Sequence, residues 1–380
     1  MRELYKETVD YLLHWYDYNR RILPWRENPR PYYVWVSEIM LQQTRVEAVK
    51  GYFDRFLTAL PTIKDLAEAS EETLLKLWEG LGYYNRVRNM QKAAKEVVQN
   101  YGGELPADYE ALKKLPGIGS YTAGAIASIA FQIPEPAVDG NVLRVMKRVA
   151  GSFDDITKAS VKKELEEEIR AIMPKDRPGD YNQALMELGA MVCIPNGKPL
   201  CETCPLMHLC RAFKEEIQAE IPVKPPKKER RMEQRAVLLV QCGEHFVLHK
   251  RPKKGLLAGL WELPNFLVEK KYNLFEVSEK NYVCNTIEEL FLTEGITVQC
   301  HPLKKAKHIF SHIEWHMTGY CVTIEEISRQ ALPKLVGNVM KQLTPSQETD
   351  TEEYVLVSKE EMEEIYPLPS AFETYRKIMI

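Results

Sequence analysis

Four of the chain's eight cysteines fall within 18 residues, at Cys193, Cys201, Cys204 and Cys210, separated by seven, two and five residues. Four thiolates converging in so short a stretch suit one tetrahedral zinc ion or one [4Fe–4S] cluster. A structural zinc site more often pairs two Cys-x2-Cys knuckles. Here one pair has that spacing, which tilts the choice toward iron–sulfur without closing it. Leaving four reduced thiols unliganded would be an oxidation liability. The other four, Cys242, Cys284, Cys300 and Cys321, are scattered and read as ordinary thiols.

A second constellation is made of carboxylates. Glu38 in WVSEIMLQQT has Val34, Trp35, Leu41 and Gln42 three and four places away, so on a helix it lies on an apolar stripe. A carboxyl buried without a partner shifts to higher pKa and can hold a proton at neutral pH. Asp139 in VDGNV precedes a helical segment, where an aspartate is most often an N-cap. Two carboxyls in different surroundings, one protonated and one ionised, are also what cleavage of a glycosidic bond through an oxocarbenium-like state requires. On the residues alone this is one of several possibilities. A third feature is LPGIGSY, ending at Tyr121. Its Gly117 and Gly119 permit a tight turn and leave bare amides at a helix start, which makes either a phosphate site indifferent to base sequence or a packing joint between two helices.

The elements that must position these groups follow from periodicity. Residues 1–220 read as mostly helical: one long helix from Tyr32 to Phe56, then Glu71–Trp78, Val87–Asn100, Ala107–Leu115, Tyr121–Phe131, Val142–Val149, Val161–Met173 and Tyr181–Cys193. Pro/Gly-punctuated breaks such as YGGELP and PKDRPGD separate them. The stretch IPVKPPKKERRMEQ sets Lys224, Lys227, Lys228, Arg230 and Arg231 against Glu229 alone. It reads as a stiff, solvated linker that could also touch a polyanion. Beyond it the period changes to that of strands, at Arg235–Gln241, His245–Lys250, Ile313–Ile324 and Glu353–Val357. The expected organisation is a mainly α domain over 1–221, a basic Pro-rich linker over 222–232 and an α+β domain over 233–380.

Composition narrows the class. The chain has 380 residues, 51 Lys+Arg against 54 Asp+Glu and 45% apolar residues, an ordinary globular balance that excludes disorder, collagen-like repeats and coiled coil. A net charge of −3 carries no global sign of nucleic acid, although a groove needs only local charge. The most apolar stretch, Tyr121–Phe131, is about half a bilayer span, so neither a transmembrane helix nor a membrane partner is expected. Charges run through any would-be signal core at the N-terminus, so a reducing compartment is expected, where eight cysteines are not read as disulfides.

With LPGIGSY, VDGNV and the four-cysteine loop in hand, the first ~220 residues resemble the helix-hairpin-helix superfamily of DNA glycosylases. Within it, WVSEIMLQQT, LPWR, EGLGYYNRVRN and the extra C-terminal domain resemble the MutY-type adenine DNA glycosylases, over essentially the whole chain. The resemblance implies a base-excision-repair enzyme that removes adenine opposite 8-oxoguanine or guanine from double-stranded DNA. It further implies a [4Fe–4S] cluster on Cys193, Cys201, Cys204 and Cys210, with a first gap one residue longer than the family's usual one. Glu38 matches the acid that protonates N7 of the extruded adenine. Asp139 matches the carboxylate that stabilises the oxocarbenium ion, with Asn141 as its orienting partner. Tyr121 stands where endonuclease III-like relatives carry a Schiff-base lysine, so lysine-dependent strand cleavage should be absent. Trp25, Arg26 and Leu41 match the adenine-pocket wall, Gln183 the reader of the adenine edge, and Gln43, Thr44 and Tyr83 the groups that wedge into the duplex.

The second domain resembles the Nudix fold, with GLLAGLWELP at its early strands and EELFLTEGI at the end of a Nudix box. Leu292 and Thr293 stand where metal-binding glutamates would be, and neutral side chains cannot hold the magnesium that pyrophosphate hydrolysis needs. By the same resemblance, Phe310, Ser311 and His312 in HIFSHIEW match the loop that reads 8-oxoguanine. A monomeric, cytoplasmic protein is expected, nucleoid-associated if bacterial. The rival readings are an endonuclease III-like bifunctional glycosylase/lyase and a catalytically silent lesion-binding protein.

Overall fold

A computed structural model describes the chain except at 227–228, 269–278, 326, 345–352 and 380; the expected linker lysines Lys227 and Lys228 lie outside the described residues. Two compact units result. One comprises Met1–Ala69 with Asn85–Lys227, the other Ser70–Tyr84 with Lys228–Ile380.

In chain order the first helices are α1 (Arg2–Asn19), α2 (Pro24–Glu27), α3 (Pro31–Leu41), α4 (Val46–Ala59), α5 (Ile63–Glu68), α6 (Glu71–Leu77) and α7 (Asn85–Tyr101). They continue with α8 (Tyr109–Lys114), α9 (Ser120–Ala125), α10 (Gly140–Ala150), α11 (Ala159–Ile172), α12 (Pro178–Met191) and α13 (Arg211–Lys214). The single helix expected from Tyr32 to Phe56 is in fact α3 and α4, broken by a polar turn. Gln43 adopts φ 63° there, in the left-handed region that ends helices. Arg86 supplies the reason. Its Nη1 donates to the carbonyls of Ile39, Met40 and Gln42 at 2.7, 3.2 and 2.7 Å, so the terminal carbonyls of α3 are satisfied without a further turn. The segment Tyr121–Phe131 also differs: α9 gives way to a π-helical turn at Ile126–Ala130.

The first unit's core gathers Tyr5 and Leu12 of α1, Val142 and Met146 of α10, Leu165 of α11, and Tyr181 and Leu188 of α12. Contact between α10 and α12 is unusually close. A Cβ added at Gly189 would lie 2.7 Å from the Cβ of Asn141, so only glycine admits this approach. Between α8 and α9 runs the hairpin. Gly117 takes φ 78° and faces Asn89, Ile118 is buried as its plug, and Gly119 is the N-cap of α9.

The second unit is built on a seven-stranded sheet: β1 (Arg231–Cys242), β2 (His245–Lys250), β3 (Trp261–Glu262), β4 (Asn265–Leu267), β5 (Gln299–Ile309), β6 (Ile313–Ile324) and β7 (Glu353–Ser358). Its order is β3-β2-β1-β6-β5, with β4 on β1 and β7 on β2, and the β1–β6 pair is parallel. Side chains alternate along β6: Trp315 and Met317 join one core with Phe372 and Tyr375, while Tyr320 and Val322 join another beneath α14 (Glu279–Thr293) and α15 (Leu332–Leu343). Of GLLAGLWELP, only Trp261 and Glu262 are extended in a strand. The segment holding α6 belongs here through ion pairs and backbone bonds. The carboxylate of Glu79 accepts from the Leu368 N–H and from Arg376, both at 3.1 Å, and Lys76 donates to the Met362 carbonyl. Among the described residues no helix is long and apolar enough to cross a membrane.

Candidate active site

A cleft of about 570 Å³ opens in the first unit and gathers side chains from distant parts of the chain. Of the residues singled out above, Trp25, Arg26, Glu38, Leu41, Thr44, Tyr121, Asp139, Asn141 and Gln183 all line it. Gln43 and Tyr83 do not line it. Both are exposed and both hold left-handed backbone, at φ 63° and 49°, a conformation unusual for non-glycine residues and frequent at functional turns.

Glu38 sits in the middle of α3, whose apolar neighbours bury it to 5% exposure. Burial raises its carboxyl from the ordinary glutamate range to about 7, against the opposing pull of the Tyr121 hydroxyl and the Arg26 charge. Tyr121 reaches it from the first turn of α9, its Oη donating to Glu38 Oε2 at 2.5 Å. Asp139 has the opposite company. As N-cap of α10 it accepts the Asn141 and Val142 N–H groups, each at 2.8 Å, and the Asn141 amide at 2.8 Å on its other oxygen. Desolvation is the largest influence and leaves its pKa raised, while these donors and the Arg144 charge pull it back toward the ionised form. The capping and catalytic readings of Asp139 are therefore compatible: the bonds that cap α10 also orient the carboxylate.

Several contributors were not visible in the sequence. Glu187, 1% exposed, binds Arg21 through Nε at 2.8 Å and Arg26 through Nη2 at 2.9 Å, fixing the arginine that lines the cleft. Its place one turn beyond Gln183 on α12 was the available signal. Arg144 donates to Asn141 Oδ1 at 2.9 Å and to the carbonyls of Gly189 and Cys193, each at 2.8 Å, holding the partner of Asp139 against α12.

Cys193, Cys201, Cys204 and Cys210 surround one further cavity, with Val145, Leu206 and Phe213 as its apolar wall. Among the described residues no three His, Cys, Asp or Glu side chains are grouped to hold a single metal ion. The buried Arg148 guanidinium donates to Cys193 Sγ at 3.3 Å and to the Ile194 and Ile221 carbonyls, so it faces the sulfurs as a positive neighbour. Four sulfur donors spread around a cavity, beside a fixed positive charge, fit an anionic iron–sulfur cluster.

In the second unit, Ser311 and His312 are exposed at the tip of the β5–β6 hairpin. Ser311 Oγ lies 3.0 Å from Tyr83 Oη, and Phe310 meets the Trp315 ring edge-on at 4.8 Å. Leu292 and Thr293 end α14; Leu292 is 62% exposed and the Thr293 hydroxyl donates to the Leu290 carbonyl.

Both units have counterparts among known proteins. The family model of the HhH-GPD superfamily base excision DNA repair protein matches residues 36–171, and that of the NUDIX domain matches residues 235–377. An adenine DNA glycosylase of Mus musculus is 37% identical, covering 85% of this chain and 72% of its own. The adenine DNA glycosylase of Buchnera aphidicola subsp. Schizaphis graminum is 33% identical, covering 82% and 86%. The fold of the first part is similar to endonuclease III in a non-covalent DNA complex, with a TM-score of 0.50 and 28% identity over 57% of this chain and 99% of that one. A chain that joins a helical HhH-GPD unit to a Nudix-like unit, and that matches these relatives over most of its length, belongs to the adenine DNA glycosylase family of base-excision-repair enzymes.

Proposed function

We propose that this glycosylase hydrolyses the N-glycosidic bond of adenine paired with 8-oxoguanine or guanine in double-stranded DNA, acts as a monomer, and does not cleave the strand. The observation that carries the reading is the asymmetry of two carboxyls sharing one cleft. Glu38 is held near pKa 7 by burial, and Asp139 is surrounded by N–H donors. Adenine must leave the stack to reach such a cleft. Glu38 then gives its proton to N7 of the extruded base while Tyr121 Oη orients the carboxyl. Asp139 faces the positive charge that develops on the sugar, and water completes hydrolysis. The related imine-forming chemistry needs an amine; Tyr121 stands at the hairpin position and no lysine is among the residues lining the cleft.

The remaining parts divide as follows. The hairpin around Gly117 and Gly119 holds a phosphate, with Gln43, Thr44 and Tyr83 wedging the duplex. Residues 233–380, joined to 1–221 by the 222–232 linker, read the template base through Phe310, Ser311 and His312. Cys193, Cys201, Cys204 and Cys210 hold a [4Fe–4S] cluster that supports the loop they span. Single-turnover excision on duplexes pairing A, C or T with 8-oxoguanine, and A with guanine, tests the substrate. Release confined to adenine is expected. Equal release of C or T, or a borohydride-trapped complex as abundant as the product, would overturn the reading.

A further inference from the structure

We infer that Arg235 and Trp315 are positioning residues for the Phe310–Ser311–His312 loop, and that they set how strongly excision depends on the base opposite adenine. The inference rests on the proposal that this loop reads the template base. The loop joins β5 to β6 with a single turn, in which the Phe310 N–H donates to the Ile313 carbonyl at 2.9 Å. The His312 carbonyl accepts from the Arg231 N–H at 3.0 Å, where β1 begins its parallel pairing with β6. These two bonds fix the backbone ends. The aromatic side chain between them is fixed by something else.

Phe310 rests edge-on against Trp315, with ring centroids 4.8 Å apart, and Trp315 is 1% exposed. Behind Trp315 lies a set of buried charges. The Arg235 guanidinium stands 4.5 Å from the Trp315 ring centroid and that of Arg251 5.8 Å from it. Each cation is held in turn: Arg235 by Asn265 Oδ1 at 2.8 Å and Glu233 Oε2 at 3.1 Å, Arg251 by Glu262 Oε2 at 2.7 Å and the Leu256 carbonyl at 2.8 Å. Glu262, only 2% exposed, also meets His249 Nδ1 at 3.2 Å. Buried ion clusters of this kind are no more stabilising than apolar packing of the same volume; what they add here is a single allowed orientation of the rings stacked on them. A guanidinium over the indole face holds the tilt of Trp315, Trp315 and His308 (ring centroids 4.8 and 4.5 Å away) hold Phe310 between them, and Phe310 together with the Tyr83 hydroxyl sets the position of Ser311. Neither Arg235 nor Trp315 lines the adenine cleft, so the chemistry of excision should not depend on them.

The experiment uses the full-length protein and compares single-turnover excision of A opposite 8-oxoguanine with A opposite guanine, alongside thermal melting. Arg235→Met and Trp315→Phe are each expected to reduce the ratio of the two rates by about 3–10-fold while the A:G rate stays within about twofold of the parent. Arg235→Lys keeps a cation but not the planar stack, so part of the ratio should return. The triple change Phe310→Ala, Ser311→Ala, His312→Ala serves as reference. Should it collapse the ratio while Arg235→Met and Trp315→Phe leave it at the parental value, the positioning role is wrong and the loop's reading role stands. Should the triple variant itself keep the parental ratio, the reading role is wrong and this inference falls with it. If Arg235→Met does not fold, Trp315→Phe and Arg235→Lys decide between the same outcomes.

Discussion

Glu38 and Asp139 differ in what surrounds them, and that difference predicts distinct consequences of changing each. Glu38→Gln keeps the shape of the side chain and removes the acid, so excision should fall by about 10²–10⁴-fold with duplex binding retained. Single-turnover rates within threefold of the parent would refute the assignment. Asp139→Asn keeps the Oδ1 cap of α10 and removes the charge, but it turns an amide NH2 toward the Asn141 amide that donates to Oδ2, so one bond is lost with the charge. Melting should show the loss of one hydrogen bond, about 1 kcal/mol, while excision falls at least as far as in Glu38→Gln. The pH profile carries the sign of the buried acid. As the proposed general acid, Glu38 would act only when protonated, so with a pKa of about 7 the rate should decline as pH rises through neutrality. The Tyr121 hydroxyl lowers that pKa, so Tyr121→Phe should move the alkaline limb upward; a downward shift would show that the tyrosine acts otherwise.

At the scale of elements, the site depends on how closely α10 meets α12. Gly189→Ala would set a methyl 2.7 Å from Asn141 Cβ, and relief requires α10 to move with Asp139 at its N-cap. Overpacking of this kind typically costs about 1–3 kcal/mol. Denaturant midpoints should show that loss, and excision should fall further than stability alone explains. Gly51→Ala, within α4, is the control: a Cβ there meets nothing within 4 Å, so it should leave midpoint and rate near the parental values. A variant at Gly189 with parental stability and rate would mean that the two helices adjust without strain.

Across the whole molecule, the four-cysteine loop and the second unit make separable contributions. Anaerobically purified protein should be yellow-brown and carry about four iron atoms per chain. Stoichiometric zinc without iron would overturn that composition, and Cys204→Ala should yield unstable protein because such a site contributes to folding of its loop. A fragment ending at Glu220 retains every residue lining the adenine cleft and should still release adenine. It should lose about 10–100-fold of the preference for 8-oxoguanine, the worth of two or three hydrogen bonds. Its residues 70–84 would also lack Leu368, Met362, Arg376 and Ser311, the partners that bind Glu79, Lys76 and Tyr83, so duplex affinity should drop as well. Equal discrimination by fragment and full chain would place lesion reading in the first unit.

What could be read from the sequence by itself were features decided by near neighbours along the chain. Gly117 of LPGIGSY announces a tight turn because a residue with a Cβ takes φ 78° only under strain. Glu38 announces a raised pKa because an apolar helical face desolvates it, and four thiols in 18 residues announce a sulfur-ligated site whatever fold carries them. Only the tertiary structure decided the features that depend on a partner remote in sequence. The break after α3 needs Arg86, 44 residues beyond Gln42, to take up the helix-end carbonyls. Arg26 is held by Glu187 from 161 residues away, and residues 70–84 find their partners almost 300 positions later. The polar strand β5 shows little apolar alternation of its own and is extended because β6 supplies its ladder. Periodicity records how a segment meets solvent and core. It does not record which cation or carbonyl will be waiting there, because that is settled when packing brings separate elements into contact.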